Sequence, residues 1–165
     1  MTFMETQKIW ILKARELLKA SLSPIPHELN EIDWKSGLSE NKEKLAQHIS
    51  AFCNQSGGGF FIFGVSSGGE IEGIETSAAN DIIKKIGNIS RDALEPPQQI
   101  DHFIESEFGK NILFILVREG SHKPVHLRGK GIEFSYIRSG GQTRKMSRQE
   151  IANSVLFSNR PDMKN

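Results

Sequence analysis

The stretch that most restricts this chain runs from Lys44 to Val65, KLAQHISAFCNQSGGGFFIFGV. Leu45, Ile49 and Phe52 recur at helical spacing and give a helix one apolar face. Asn54 to Gly59 (NQSGGG) ends that helix, because glycine loses the most backbone freedom on ordering. Phe60 to Val65 is an apolar run of strand length and reads as a central strand covered on both faces. A helix joined to a buried strand through three glycines requires close backbone approach, to another element or to a ligand. The glycines match neither a phosphate-binding P-loop nor a dinucleotide fingerprint, since here the helix precedes them. A tight structural turn is one reading of Gly57 to Gly59, and a nest of N–H groups for a phosphate or nucleotide is the other.

The rest of the chain can be placed around this unit. Glu5 to Ala20 reads as a helix with Trp10, Ala14, Leu17 and Leu18 on one side. It stops before Ser23-Pro24-Ile25-Pro26, where two prolines disfavour helix. Residues 1–24 are therefore expected to form a helical arm, 25–158 the domain, and 159–165 a flexible tail. Ile32 to Lys35 looks extended, with Ile32 and Trp34 inward and Asp33 and Lys35 on the opposite face. Ser39 is placed to cap the following helix. Ser66 to Gly69 makes a hairpin turn. Ser77 is placed to cap a helix from Ala78 to about Arg91 with Ile82, Ile83, Ile86 and Ile89 facing the core. Strands are expected over Ile100–Phe108 and Ile112–Val117. A second hairpin is expected around Gly129-Lys130-Gly131. Ser147 and Glu150 make a capping box for a last helix through about Phe157. Helices and strands mixed in this way predict an α/β (α+β) fold with a mixed sheet and flanking helices.

The single cysteine, Cys53, excludes an internal disulfide and a cysteine zinc cluster. No basic-then-apolar leader opens the sequence and no apolar run approaches about 18 residues, so a cytoplasmic protein and no membrane partner are expected. Net charge is only +1, but Arg118 to Arg148 holds eight Lys/Arg against two Asp/Glu, a local +6. That stretch of the C-terminal third could meet a polyanion, or could be a solvated charged surface. Lys123, Arg128, Lys130, Arg138, Arg144 and Lys145 lie on or near glycine turns, which suits contacts to a nucleic-acid backbone. A total charge so near neutral makes affinity depend on a local groove or on a homodimer that doubles it.

Glu28 and Asp33 stand five apart, with Lys35 two further on. If the turn folds back on the strand, the two carboxylates converge and can hold Mg²⁺ or Mn²⁺. Such an ion activates water at a phosphodiester, and a nearby lysine stabilises the anionic transition state. The other reading is a solvated acidic turn. The histidines, His48 included, form no metal-binding repeat.

Together these segments resemble the AlbA-like DNA-binding domain of the Schlafen group, which is widespread in bacterial proteins. The resemblance rests on Glu28, Asp33-Trp34-Lys35, Ala51-Phe52-Cys53-Asn54-Gln55-Ser56-Gly57-Gly58, Phe63-Gly64-Val65, Pro124-Val125-His126 and Tyr136-Ile137-Arg138-Ser139-Gly140. It covers roughly Glu28 to Ile151. It implies an α/β fold with a nucleic-acid-facing surface that binds RNA or DNA. It also implies, as some Schlafen members show, a metal-dependent endoribonuclease acting on structured RNA such as tRNA. In that case Glu28, Asp33 and Lys35 are catalytic, and Glu28, Asp33 and Glu70 hold the metal. Asp33 stands where the family has Glu. Ser66 and Ser67 stand where its third acid falls, so Glu70 or Glu72 is the substitute.

Overall fold

The computed structural model describes residues 3–27 and 29–158. Its frame is a mixed four-stranded sheet, ordered β1(Ile32–Lys35)–β2(Gly59–Phe63)–β5(Lys110–Val117)–β4(Ile100–Glu107). β1 runs parallel to β2, while β2–β5 and β5–β4 are antiparallel. The parallel pair needs a crossover, and α2(Lys42–Cys53) supplies it. Two ribbons complete the strands: β3(Leu94–Glu95) with β6(His126–Leu127), and β7(Tyr136–Ser139) with β8(Gln142–Lys145).

Strand alternation divides the core in two. Phe61 and Phe63 face α2 and α3(Thr76–Asp92), where they meet Leu45, Ile49, Phe52, Ile82 and Ile86. Phe60 and Ile62 face the other way, against Trp10, Ala14 and Leu18 of α1(Phe3–Leu22). β2 is buried over all five residues, as an apolar run between two layers should be. The N-terminal helix is thus a layer of the core, tied also by Trp34 Nε1 donating to Ser21 Oγ at 3.2 Å.

Several local expectations are met. Glu150 N–H donates to Ser147 Oγ at 3.2 Å and Ser147 N–H donates to Glu150 Oε1 at 2.8 Å, the capping box of α4(Arg148–Ser158). Others shift. Asn41, not Ser39, caps α2, its Oδ1 accepting from Lys44 N–H at 2.8 Å. α3 starts at Thr76 after Glu75, without a side-chain cap, so Ser77 lies inside the helix. The expected hairpin across Gly129–Gly131 is reduced to one bridge, His126 to Ser135, because β6 pairs with β3 instead. The full hairpin lies one turn later, across Ser139–Gln142.

Asn54, just past α2, joins distant segments. Its Nδ2 donates to the carbonyls of Val125 and Tyr136, both at 2.9 Å, and its Oδ1 accepts from Val125 N–H at 2.7 Å. One buried amide thereby satisfies backbone groups about 71 and 82 residues away, which no apolar side chain could do. Cys53 beside it is fully buried, and burial pushes its thiol up to about 12. Without thiolate it has no nucleophile at neutral pH. Ellman's reagent is expected to label the protein only at its unfolding rate. Fast labelling of the folded chain would contradict this burial.

Candidate functional site

Alternation in β1 puts Asp33 and Lys35 on the same face, paired in register with Phe61 and Phe63 and turned toward α2. There they meet two residues that spacing did not single out as site residues, Glu40 and His48. Lys35 Nζ lies 3.2 Å from Asp33 Oδ2 and also pairs with Glu40 Oε1. His48 Nε2 lies 3.0 Å from Glu40 Oε2 and 3.9 Å from Asp33 Oδ2. Its Nδ1 is 2.7 Å from Thr143 Oγ1 on β8. Thr143 Oγ1 in turn accepts from Arg138 Nη1 at 3.3 Å. With that lone pair used, the threonine hydroxyl can donate to His48 Nδ1, leaving Nε2 to face the carboxylates.

Burial and charge oppose each other here. Burial lowers the His48 pKa and outweighs Asp33 and Glu40, so the imidazole is neutral at pH 7. Burial also opposes the charge on Lys35, but Asp33 and Glu40 outweigh it and the pKa is raised. Glu40 is lowered, because Lys35 and His48 together outweigh its own desolvation. Two carboxylates therefore share one ammonium, which leaves a net negative charge in a largely buried place.

Candidate donor atoms of Asp33, Glu40 and His48 all lie within 4.8 Å of one another. Asp33 is 5% exposed, and its Oδ2 and Glu40 Oε1 make no hydrogen bond of sound geometry. Two carboxylates converging on an imidazole, with the Lys35 ammonium already between them, fit a cation, so this group could bind a metal ion. Glu70 is exposed on the 66–70 turn and is not in the group. Glu28 lies outside the described residues. The signal for His48 is visible in retrospect: Leu45, His48, Ile49 and Phe52 form one helical stripe, with a titratable side chain among apolar ones.

The cations of the C-terminal third separate into groups. Arg138 is a correction to the expected nucleic-acid contacts: it is 6% exposed and aimed inward. Its guanidinium donates to the carbonyls of Leu29, Asn30, Ile32 and Gly141 at 2.6 to 3.2 Å. Arg144 is exposed but held bidentately by Glu150, at 2.8 and 2.9 Å, which brings the Glu150 carboxyl down to about 2. Lys123 pairs with Glu119 beside the glycine turn. Gly57 N–H donates to that same Glu119, so the turn's donor is met by this chain's own carboxylate.

Arg128, Lys130 and Lys145 gather at another edge. Lys145 Nζ stands 4.1 Å and Lys130 Nζ 5.5 Å from the Phe134 ring centroid. Lys130 also reaches Glu43 in the first turn of α2. A cleft of about 390 Å³ brings Arg128 and Lys130 against Lys42. It adjoins a second, of about 300 Å³, where Lys42 and Lys85 meet Glu40. The basic edge and the acidic group therefore share a boundary at Glu40.

No curated protein matches the chain. Solved structures share its fold, among them the following two. One is the DIP2311 protein from Corynebacterium diphtheriae, at TM-score 0.58 and 19% identity, covering 91% of this chain and 28% of that one. The chain thus spans little more than a quarter of that protein. The other is the N-terminal domain of a DNA-helicase-RecG-related protein from Nitrosomonas europaea. It has TM-score 0.57 and 20% identity, covering 81% of this chain and 92% of that one. Among the described residues no helix is long and apolar enough to cross a membrane. The family model for Schlafen, AlbA_2 matches residues 28–147, a range that takes in β1 and ends at the capping box of α4, and the chain belongs to that family.

Proposed function

We propose that this domain binds nucleic acid along the edge where α2 begins. The carrying observation is that Lys130 and Lys145 stand over the Phe134 ring, while Arg128 and Lys130 line a cleft with Lys42. Their partners Glu95 and Glu43 are about half exposed, so a phosphate can replace them at little cost. An aromatic ring between cations also suits an unpaired base. Family membership supports the same reading. The test is fluorescence anisotropy with single-stranded and hairpin RNA and DNA over a salt series. Replacing Lys130 and Lys145 together with alanine is expected to weaken binding and reduce the salt slope by about 1 for each phosphate left without its lysine. Salt-independent binding, or no change in the double variant, removes the proposal.

A second reading, metal-dependent endoribonuclease, is favoured by one fact: Glu40 lines the cleft that also holds Lys42 and Lys85. RNA held on the basic edge would lie beside Asp33 and Lys35. A divalent ion there would neutralise charge on a phosphodiester and supply a more acidic water. Lys35 would place its ammonium against the developing anion, with Glu28 as a further acid. Cutting of labelled structured RNA in Mn²⁺ but not in chelator, lost in Asp33→Asn, is the expected result. RNA that is bound but never cut leaves binding alone.

A further inference from the structure

We propose that Asp33, Glu40 and His48 form a site for one first-row transition-metal dication, and that Lys35 is the resident cation this ion displaces. Glu40 and His48 belong to no part of the family pattern described above, and the inference does not depend on the nucleic-acid reading. It begins with distance. Tetrahedral ligands about 2.1 Å from a metal lie about 3.4 Å apart. His48 Nε2 stands 3.0 Å from Glu40 Oε2 and 3.9 Å from Asp33 Oδ2, on either side of that value. Small side-chain rotations would close the set.

Orientation is provided as well. Metal-binding imidazoles donate their second ring N–H to an outer partner; once the ion replaces the proton on Nε2, Nδ1–H would donate to Thr143 Oγ1, 2.7 Å away, the hydroxyl turning from donor to acceptor. Asp33 comes from β1, Glu40 from the loop before α2 and His48 from α2, so one ion would tie a strand to the crossover helix. Asp33 Oδ2 is buried and aimed into the cluster without a hydrogen bond of sound geometry.

Charge gives the role of Lys35. Two carboxylates and one ammonium sum to −1, whereas two carboxylates and a dication sum to zero. The Lys35 side chain is already 16% exposed and can swing its ammonium into water. The donor set decides the metal class. One imidazole with two carboxylates suits Zn²⁺, Co²⁺ or Mn²⁺, while Mg²⁺ prefers six oxygens and retains its waters.

Wild-type protein labelled with ¹⁵N-histidine and titrated with Zn²⁺ gives the first test. The His48 ring nitrogens are expected to shift with 1:1 stoichiometry while His27, His102, His122 and His126 stay in place. Visible absorption of Co²⁺ gives the second. Thr143→Val is expected to weaken Co²⁺ about tenfold, and Glu40→Gln further. Lys35→Met is expected to bind tighter than wild type, and its thermal midpoint, lowered without metal, to recover in Zn²⁺. Shifts at other histidines, no stoichiometric shift, or a Lys35→Met protein that binds no tighter would overturn the proposal.

Discussion

Arg138→Ala is expected to lower stability by about 3–5 kcal/mol, or to prevent folding. The guanidinium reaches four main-chain carbonyls, from Leu29, Asn30, Ile32 and Gly141. Alanine would leave these acceptors near the core without a donor, each costing about 1–3 kcal/mol less whatever water recovers. The guanidinium carbon also sits 5.2 Å from the Phe52 ring centroid, on the helix that delivers His48. Arg138→Lys is expected to recover little, because one ammonium cannot reproduce the planar fork of five donors. Urea denaturation followed by circular dichroism measures both variants. A variant that unfolds like wild type and loses only nucleic-acid affinity would return Arg138 to the surface.

Gly58→Ala is expected to cost at least about 3 kcal/mol, because left-handed strain and a backbone collision combine. Its φ is +69°, and an added Cβ would lie 2.2 Å from Val117 O and 2.8 Å from Glu119 N. The wall it meets is the end of β5, which cannot retreat without unpairing β2. Gly57→Ala is the internal control. Its φ is +83°, but the nearest atom is the flexible Lys13 Nζ at 3.9 Å, so only the conformational cost of about 1–2 kcal/mol applies. Comparing the two midpoints separates close packing from mere backbone freedom. Equal midpoints would mean that β5 does not hold Gly58.

These two variants fall on opposite sides of what the chain reveals in one dimension. The need for glycine at the end of α2 is local and legible, since a helix followed by a buried strand across NQSGGG leaves no room for a wide loop. That the wall is β5 is not legible, because it requires knowing the antiparallel partner of β2 about 55 residues later. The same division runs through the site. Period-two alternation put Asp33 and Lys35 on one face of β1, and the structure places them there. It could not say that Glu40 and His48 meet them, because Glu40 lies in an irregular loop whose path depends on how α2 docks. His48 also carries no repeat that marks a ligand.

The basic third shows the limit most plainly. Charge counts treat Arg128, Arg138, Arg144 and Lys145 alike, since each carries one positive charge on a long stem. Packing separates them: β7 pairs with β8, its alternate residues Tyr136 and Arg138 turn inward together, and the guanidinium is committed to the main chain. The sequence by itself determined the helix–glycine–strand unit, the side of β1 that carries the acid and the lysine, and the capping box of α4. Each of these depends on residues within a few positions of one another, where backbone geometry leaves few choices. Tertiary structure alone decided which cations reach solvent and which donors surround Asp33, because those outcomes depend on contacts between elements far apart in the chain.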